Sequence, residues 1–191
     1  MQNNTVTENK KIKLFAFIGF IFTSIAGVLL HFAFEFSGGN TLVGAFTPVN
    51  ESVWEHLKLL LFPVLVFAVI EYIFYGKNLP NFIAARIISV LIGMAATVMI
   101  FYTYTGIIGK SLIPVDIALF FFSVVLTYFI GYVIMKRPFL FASENAAIFT
   151  VSVLAAVILA FIFFTFNPPM LEIFRDPLTE DFGINESILI Y

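Results

Sequence analysis

The chain has two histidines, His31 and His56, and no cysteine in its 191 residues. A metal site must therefore draw on His, Asp and Glu, a donor set suited to Zn²⁺, Mn²⁺, Fe²⁺ or Mg²⁺. The same count excludes disulfides and a thiolate nucleophile. Acids recur around the histidines at helical spacing. His31 and Glu35 are i,i+4, as are Ser52 and His56, and Glu51 and Glu55; residues at that spacing share a helix face. His, Glu and Asp on facing helices are a common source of buried metal and acid/base sites. This pattern puts forward His31, His56, Glu55 and Asp116 as ligands of a divalent metal such as zinc. Glu35, Glu55, Asp116 and Asp176 are the acid/base candidates, one of them serving as general base toward a bound water.

Structural roles compete for some of these residues. Glu51 and Glu55 both suit a helix N-terminus, and Ser52-x-x-Glu55 fits a capping box, with Thr47-Pro48 as a start one turn earlier. Capping accounts for one of the two carboxylates. Lys58, three residues after Glu55, is placed to neutralise it. Glu71 is expected to snorkel or to pair with Arg86. Trp54, Tyr102, Tyr104 and Tyr191 suit an aromatic belt.

The elements that must position these groups follow from composition. Apolar residues make up 61% of the chain, charged residues 12%, and phenylalanine occurs 26 times; the mean hydropathy is +1.03. A soluble domain runs about 45–50% apolar and about 25% charged, and a chain this small has too little interior to hide the excess. A soluble enzyme and a disordered chain are excluded, and a net charge of −2 gives no footprint for nucleic acid. The bilayer is the implied solvent and partner.

Five stretches are long enough to cross about 30 Å of hydrocarbon: Leu14–Phe36, Val53–Tyr75, Phe82–Tyr104, Ile113–Met135 and Ala146–Phe166. Ser37-Gly38-Gly39-Asn40, Gly76-Lys77-Asn78-Leu79-Pro80 and Lys136-Arg137-Pro138 break them. Ser143 caps the fifth, with Glu144 in its first turn. The apolar run Leu14–Leu30 exceeds the about 7–15 residues of a cleavable signal, so the first span reads as an uncleaved helix. The fold class is an all-α membrane bundle of about five helices. Its parts are an arm at 1–13, a helical domain at 14–166 and a tail at 167–191 packed on the outer face.

Lys10, Lys11, Lys13, Lys77, Arg86, Lys136 and Arg137 fall at one set of ends, and Lys58, Lys110 and Arg175 at the other. The positive-inside rule then puts the N-terminus inside and the C-terminus outside, in a cell membrane of the inner or plasma type. At about 1.5 Å per residue, His31, His56, Tyr102, Asp116 and Asn167 all lie about 26–31 Å above the cytoplasmic edge. Five spans thus bring polar side chains to one plane near the outer edge. The apolar loop Ser37–Asn50 and the tail Phe166–Pro177, stopped by Pro168 and Pro169, are placed to fold over it. There Arg175 and Asp176 are within reach of the plane, as part of a lid. Ser89, Gly93 and Thr97 on the third span, and Ser152, Ala156 and Ala160 on the fifth, form small-residue stripes that allow close helix approach.

The stretch Pro48-Val49-Asn50-Glu51-Ser52-Val53-Trp54-Glu55-His56-Leu57-Lys58, with His31-Phe32 before it and Asn167-Pro168-Pro169…Phe174-Arg175-Asp176-Pro177 after it, resembles an uncharacterised family of small bacterial multi-pass membrane proteins. That resemblance implies a membrane location and no assigned chemistry. A looser likeness is to intramembrane metal hydrolases of the ceramidase and adiponectin-receptor type, which use His and Asp across several helices. This chain departs from them in having five spans rather than seven and no His-x-x-x-His pair on a late helix.

Three functions follow as expectations. One is a metal-dependent hydrolase or transferase acting on a lipid or lipid-linked substrate. Another is a small transporter or channel subunit, with oligomers forming a shared pore. The third is an accessory protein whose outer surface docks a partner without catalysis.

Overall fold

The computed structural model describes residues 2–137 and 139–184. Pro138 and Tyr191, used above as a break and a belt residue, lie outside the described residues. The helices are α1 (Gln2–His31), α2 (Ala33–Phe36), α3 (Thr41–Gly44), α4 (Val53–His56), α5 (Lys58–Phe74), α6 (Phe82–Ile108), α7 (Ile113–Met135) and α8 (Glu144–Phe166). Single 3₁₀ turns form at Gly76–Asn78 and Glu172–Phe174. Among the described residues the fold is all-α. Five segments are long and apolar enough to cross a membrane: Glu8–His31, Val53–Phe74, Phe82–Ile108, Ile113–Met135 and Glu144–Phe166.

Local chemistry sets the helix ends. Ser143 caps α8 by accepting from the Ala146 amide at 3.2 Å. α6 runs one turn past its expected end at Tyr104, to Ile108, where Gly109 at φ +81° takes the left-handed conformation that closes a helix. The first span differs more. The stretch expected as an arm is continuous with α1 from Gln2, since no glycine or proline interrupts residues 2–13. At its other end the helix breaks at Phe32, whose amide reaches back only three residues to Leu29. Residues 33–36 form a separate turn.

α5 is the axis of the bundle. Leu57, Leu60, Leu61, Val64 and Phe67 pack with Val90 and Met94 of α6, Val124 and Tyr128 of α7 and Phe161 of α8. A smaller cluster at the opposite end joins Ile12 to Tyr75, Phe82, Ala85, Ile134 and Met135. The stripe on α6 does close-packing work. A Cβ on Gly93 would lie 3.2 Å from the Ser123 carbonyl of α7 and nearer still to Thr127 Oγ1, and Thr97 donates to Ser123 Oγ at 2.8 Å. The stripe on α8 does not, because Ser152 and Ala156 are exposed and Ser152 bonds only its own helix at Ile148.

Two further expectations resolve into structure. Glu71 pairs with Arg86 at 2.6 Å, both buried, and Tyr75 donates to the same carboxylate at 2.8 Å. Trp54 is not a belt residue. Its ring stacks among Phe161, Phe164 and Phe174, at centroid distances of 4.4, 5.7 and 4.9 Å, wedged between α4, α8 and the tail.

Candidate metal centre

α1 and α5 cross close to one end of the bundle, and two sequence features allow it. Pro63 has no amide proton, so the Leu59 carbonyl lacks its in-helix donor. Gly27 of α1 lies against that carbonyl, and a Cβ there would sit 2.8 Å from the oxygen and 2.5 Å from the Phe120 ring. One turn beyond Gly27 on the same face is His31; one turn before Leu59 is His56. The crossing therefore delivers the two imidazoles to each other.

Their Nε2 atoms lie 3.2 Å apart. His56 Nδ1 is 2.9 Å from the Ser52 carbonyl. A carbonyl only accepts, so Nδ1 carries a proton; Nε2 then presents a lone pair when the ring is neutral and donates to Glu51 when the ring is charged. Glu51 supplies the third group. Its carboxylate oxygens stand 3.7 Å from His31 Nε2 and 3.4 Å from His56 Nε2, and one ligand atom from each of the three residues lies within 4.8 Å of the others. Side-chain exposures of 31, 30 and 40% leave the cluster reachable from outside. The hydrogen bond from His56, with the charge of both histidines when protonated, holds the Glu51 carboxyl below its usual range against the opposing effect of burial.

Two imidazole nitrogens and a carboxylate oxygen converging on one point are held there by a proton shared among them or by a cation. Zinc binds imidazole nitrogen at about 2.0–2.1 Å in tetrahedral geometry, which puts two such nitrogens about 3.3 Å apart. The observed spacings fit that ion. Two His and one Glu with a side open to solvent match catalytic rather than closed structural zinc sites. The bond from His56 Nδ1 to a carbonyl is the support that orients metal-bound histidines.

The other sequence candidates lie elsewhere. Glu55 is 2% exposed and faces away from the histidines. Its carboxylate takes Lys58 Nζ at 2.6 Å, the Val49 amide at 3.1 Å and Thr165 Oγ1 at 2.9 Å. Lys58 also reaches Thr165 and the carbonyls of Gly44 and Thr47, fastening the 37–50 loop down. Ser52 caps α4 through the Glu55 amide at 3.3 Å, but the reciprocal half of the capping box is absent, because the Ser52 amide goes to Asn50 Oδ1. Asp116 holds the α6–α7 turn, accepting from Tyr104 Oη and from Ser111 Oγ at 2.5 Å. Glu35 lies past the Phe32 break and is exposed, outside the cluster. Asp176 is buried and meets the site through the backbone, accepting from the Glu51 amide at 3.2 Å.

Glu51 is absent from the expected ligand set, because helix-face arithmetic places it with Glu55. Ser52 is extended, at φ −67° and ψ 152°, so Glu51 precedes the helix and the arithmetic stops applying. The signal for the histidine pairing was present in α1. Gly19, Thr23, Gly27 and His31 recur every four residues, and the first three are buried against the bundle.

No curated protein and no solved structure matches the chain. The model of one family matches residues 1–184, and the chain belongs to that family of unknown function, DUF6512.

Proposed function

We propose that His31, His56 and Glu51 bind one divalent cation of the zinc class. On this reading the protein is a metal-dependent hydrolase or transferase, acting on a lipid-type substrate at the outer edge of a cell membrane. The observation that carries the reading is the spacing of the three donors, 3.2 to 3.7 Å, together with their partial exposure. A zinc-class ion bound this way would supply Lewis-acid activation of water or of an ester or phosphoryl oxygen at the open coordination position. The chain's own groups set the geometry: Ser52 orients His56, and Gly27 admits His31. A lipidic substrate is supported by the surroundings. Phe32 packs on His31 at 5.1 Å and Phe36 on Phe32 at 6.2 Å, and the two phenylalanines are 45 and 86% exposed. The outer placement rests on the basic residues gathered at the opposite ends of the spans.

Zinc titration of detergent-purified protein tests this. One equivalent should bind to the wild type and none to His31→Ala or His56→Ala at unchanged helical content. A wild type that takes up no zinc, or a His56→Ala variant that binds it normally, overturns the reading.

A second reading, docking of a membrane partner, is favoured by one observation. Ser152 and Ala156 leave a small-residue face of α8 exposed, the geometry that lets another helix approach. Bulky substitutions there should abolish function without touching zinc binding if this reading holds.

A further inference from the structure

We infer that Asp176 is the positioning residue for the third metal ligand, so that the C-terminal tail clasps the site together; this rests on the metal reading above. Glu51 lies outside any helix, so α4 does not fix where its side chain points. Its backbone is held instead from the far end of the chain. Asp176 Oδ2 accepts the Glu51 amide at 3.2 Å, across 125 residues of sequence, while the neighbouring Asn50 donates to the Gly183 carbonyl at 2.9 Å.

Asp176 is itself rigidly placed. Its other oxygen accepts the amides of Leu178 at 2.7 Å and Thr179 at 3.3 Å. Its own amide donates to the Asp181 carbonyl, and its carbonyl accepts from Glu180. Arg175 turns away to pair with Glu172 and Glu180, so Asp176 spends its acceptors on backbone amides alone. A 6% exposed carboxylate so satisfied is a fixed point. The contact anchors the backbone that carries the carboxylate, one step further out than a partner of the ligating group itself, whose loss costs about 10–100-fold in metal affinity. Linkage then runs both ways: whatever factor tail closure adds to zinc binding, zinc adds to tail closure.

The test uses the full chain in detergent. Asp176→Asn keeps an oxygen for Leu178 and Thr179 but sets an amide N–H against the Glu51 N–H. It should weaken zinc binding up to about tenfold, the low end of the loss for a direct partner of a ligand, and alter the visible spectrum of the cobalt-substituted protein, with the metal-free protein still folded at unchanged helical content. In the wild type, zinc should slow amide hydrogen exchange at Leu178 and Thr179 by up to the same factor, and in His56→Ala it should not. Wild-type zinc affinity in Asp176→Asn, or exchange in the wild type that ignores zinc, overturns the clasp alone. A wild type that binds no zinc overturns the metal reading and the clasp with it.

Discussion

Glu51 and Glu55 stand four residues apart in one segment, each beside a basic partner, and their surroundings differ in kind. Glu55 is sealed from solvent, and three donors meet its two oxygens; Lys58 opposite it is equally buried and fully engaged. Glu51 is 40% exposed, and its oxygens face two imidazole nitrogens, one of which has its donor turned to Ser52. The Glu55–Lys58 pair leaves nothing for a ligand to do and ties the 37–50 loop to α8. The Glu51 cluster brings three metal-ligating side chains together with a side open to solvent. The Glu71–Arg86 pair in the opposite half of the bundle is buried and mutually neutralised as well, but less complete, with Glu71 Oε2 and Arg86 Nε and Nη1 lacking hydrogen-bond partners. A charge pair that satisfies itself is scaffold; ligating groups aimed at a common point are a candidate site.

The comparison can be broken at its strongest point first. His56→Ala should abolish zinc uptake while leaving the melting temperature of the metal-free protein nearly unchanged, read by calorimetric titration and by circular dichroism. Lys58→Met should do the reverse. It strands a buried carboxylate, and breaking such a pair costs about 3–5 kcal/mol, visible as a large drop in thermal stability in detergent. Equal stability losses in the two variants would erase the distinction between site and scaffold.

Gly27→Val comes next. Overpacking costs about 1–3 kcal/mol, and prising α1 from the Leu59 carbonyl should separate the imidazoles and lower zinc affinity about tenfold. The same substitution at exposed Gly106, where a Cβ meets nothing within 4 Å, should not affect zinc.

Acid should release the metal through the histidines rather than through Glu51. The bond from His56 holds the Glu51 carboxyl below its ordinary 4.5, so it stays ionised in mild acid, whereas an imidazole binds metal only in its neutral form. Zinc affinity should fall as pH drops below neutral, before Glu51 protonates. The stability that Glu51 contributes in the metal-free protein is complete above its unfolded value and is lost only as pH falls through its lowered folded one. The smallest effect belongs to Glu35→Gln, which should leave both zinc affinity and stability within about 0.5 kcal/mol of wild type. A loss of zinc there would bring the residue back into the ligand set.

Much of this was legible in the sequence for physical reasons. Twenty apolar residues in a row have one interpretation in water, so the spans and the all-α class followed directly. The Glu71–Arg86 pairing followed from the cost of an unpaired charge in lipid. His31 and His56 came to one level because helical rise converts residue counts into depth. Depth does not give direction. Glu55 and Asp116 share that level but turn to Lys58 and to Tyr104, choices made by tertiary neighbours. Glu51 escaped because it sits in a loop, where no periodicity constrains it, and Trp54 because an aromatic near a span end looks the same whether it faces headgroups or Phe161.

The contact between Glu51 and Asp176 also sets an order of events. A ribosome finishes the first two spans long before it reaches the tail, and domains form as their residues emerge. The two histidines can therefore meet early in synthesis, while the support for the third ligand does not exist until the last helix has been inserted. On the clasp reading, a chain truncated before residue 176 would carry both imidazoles and still hold its ion loosely. Tight metal loading would then report that the whole polypeptide has been made and threaded.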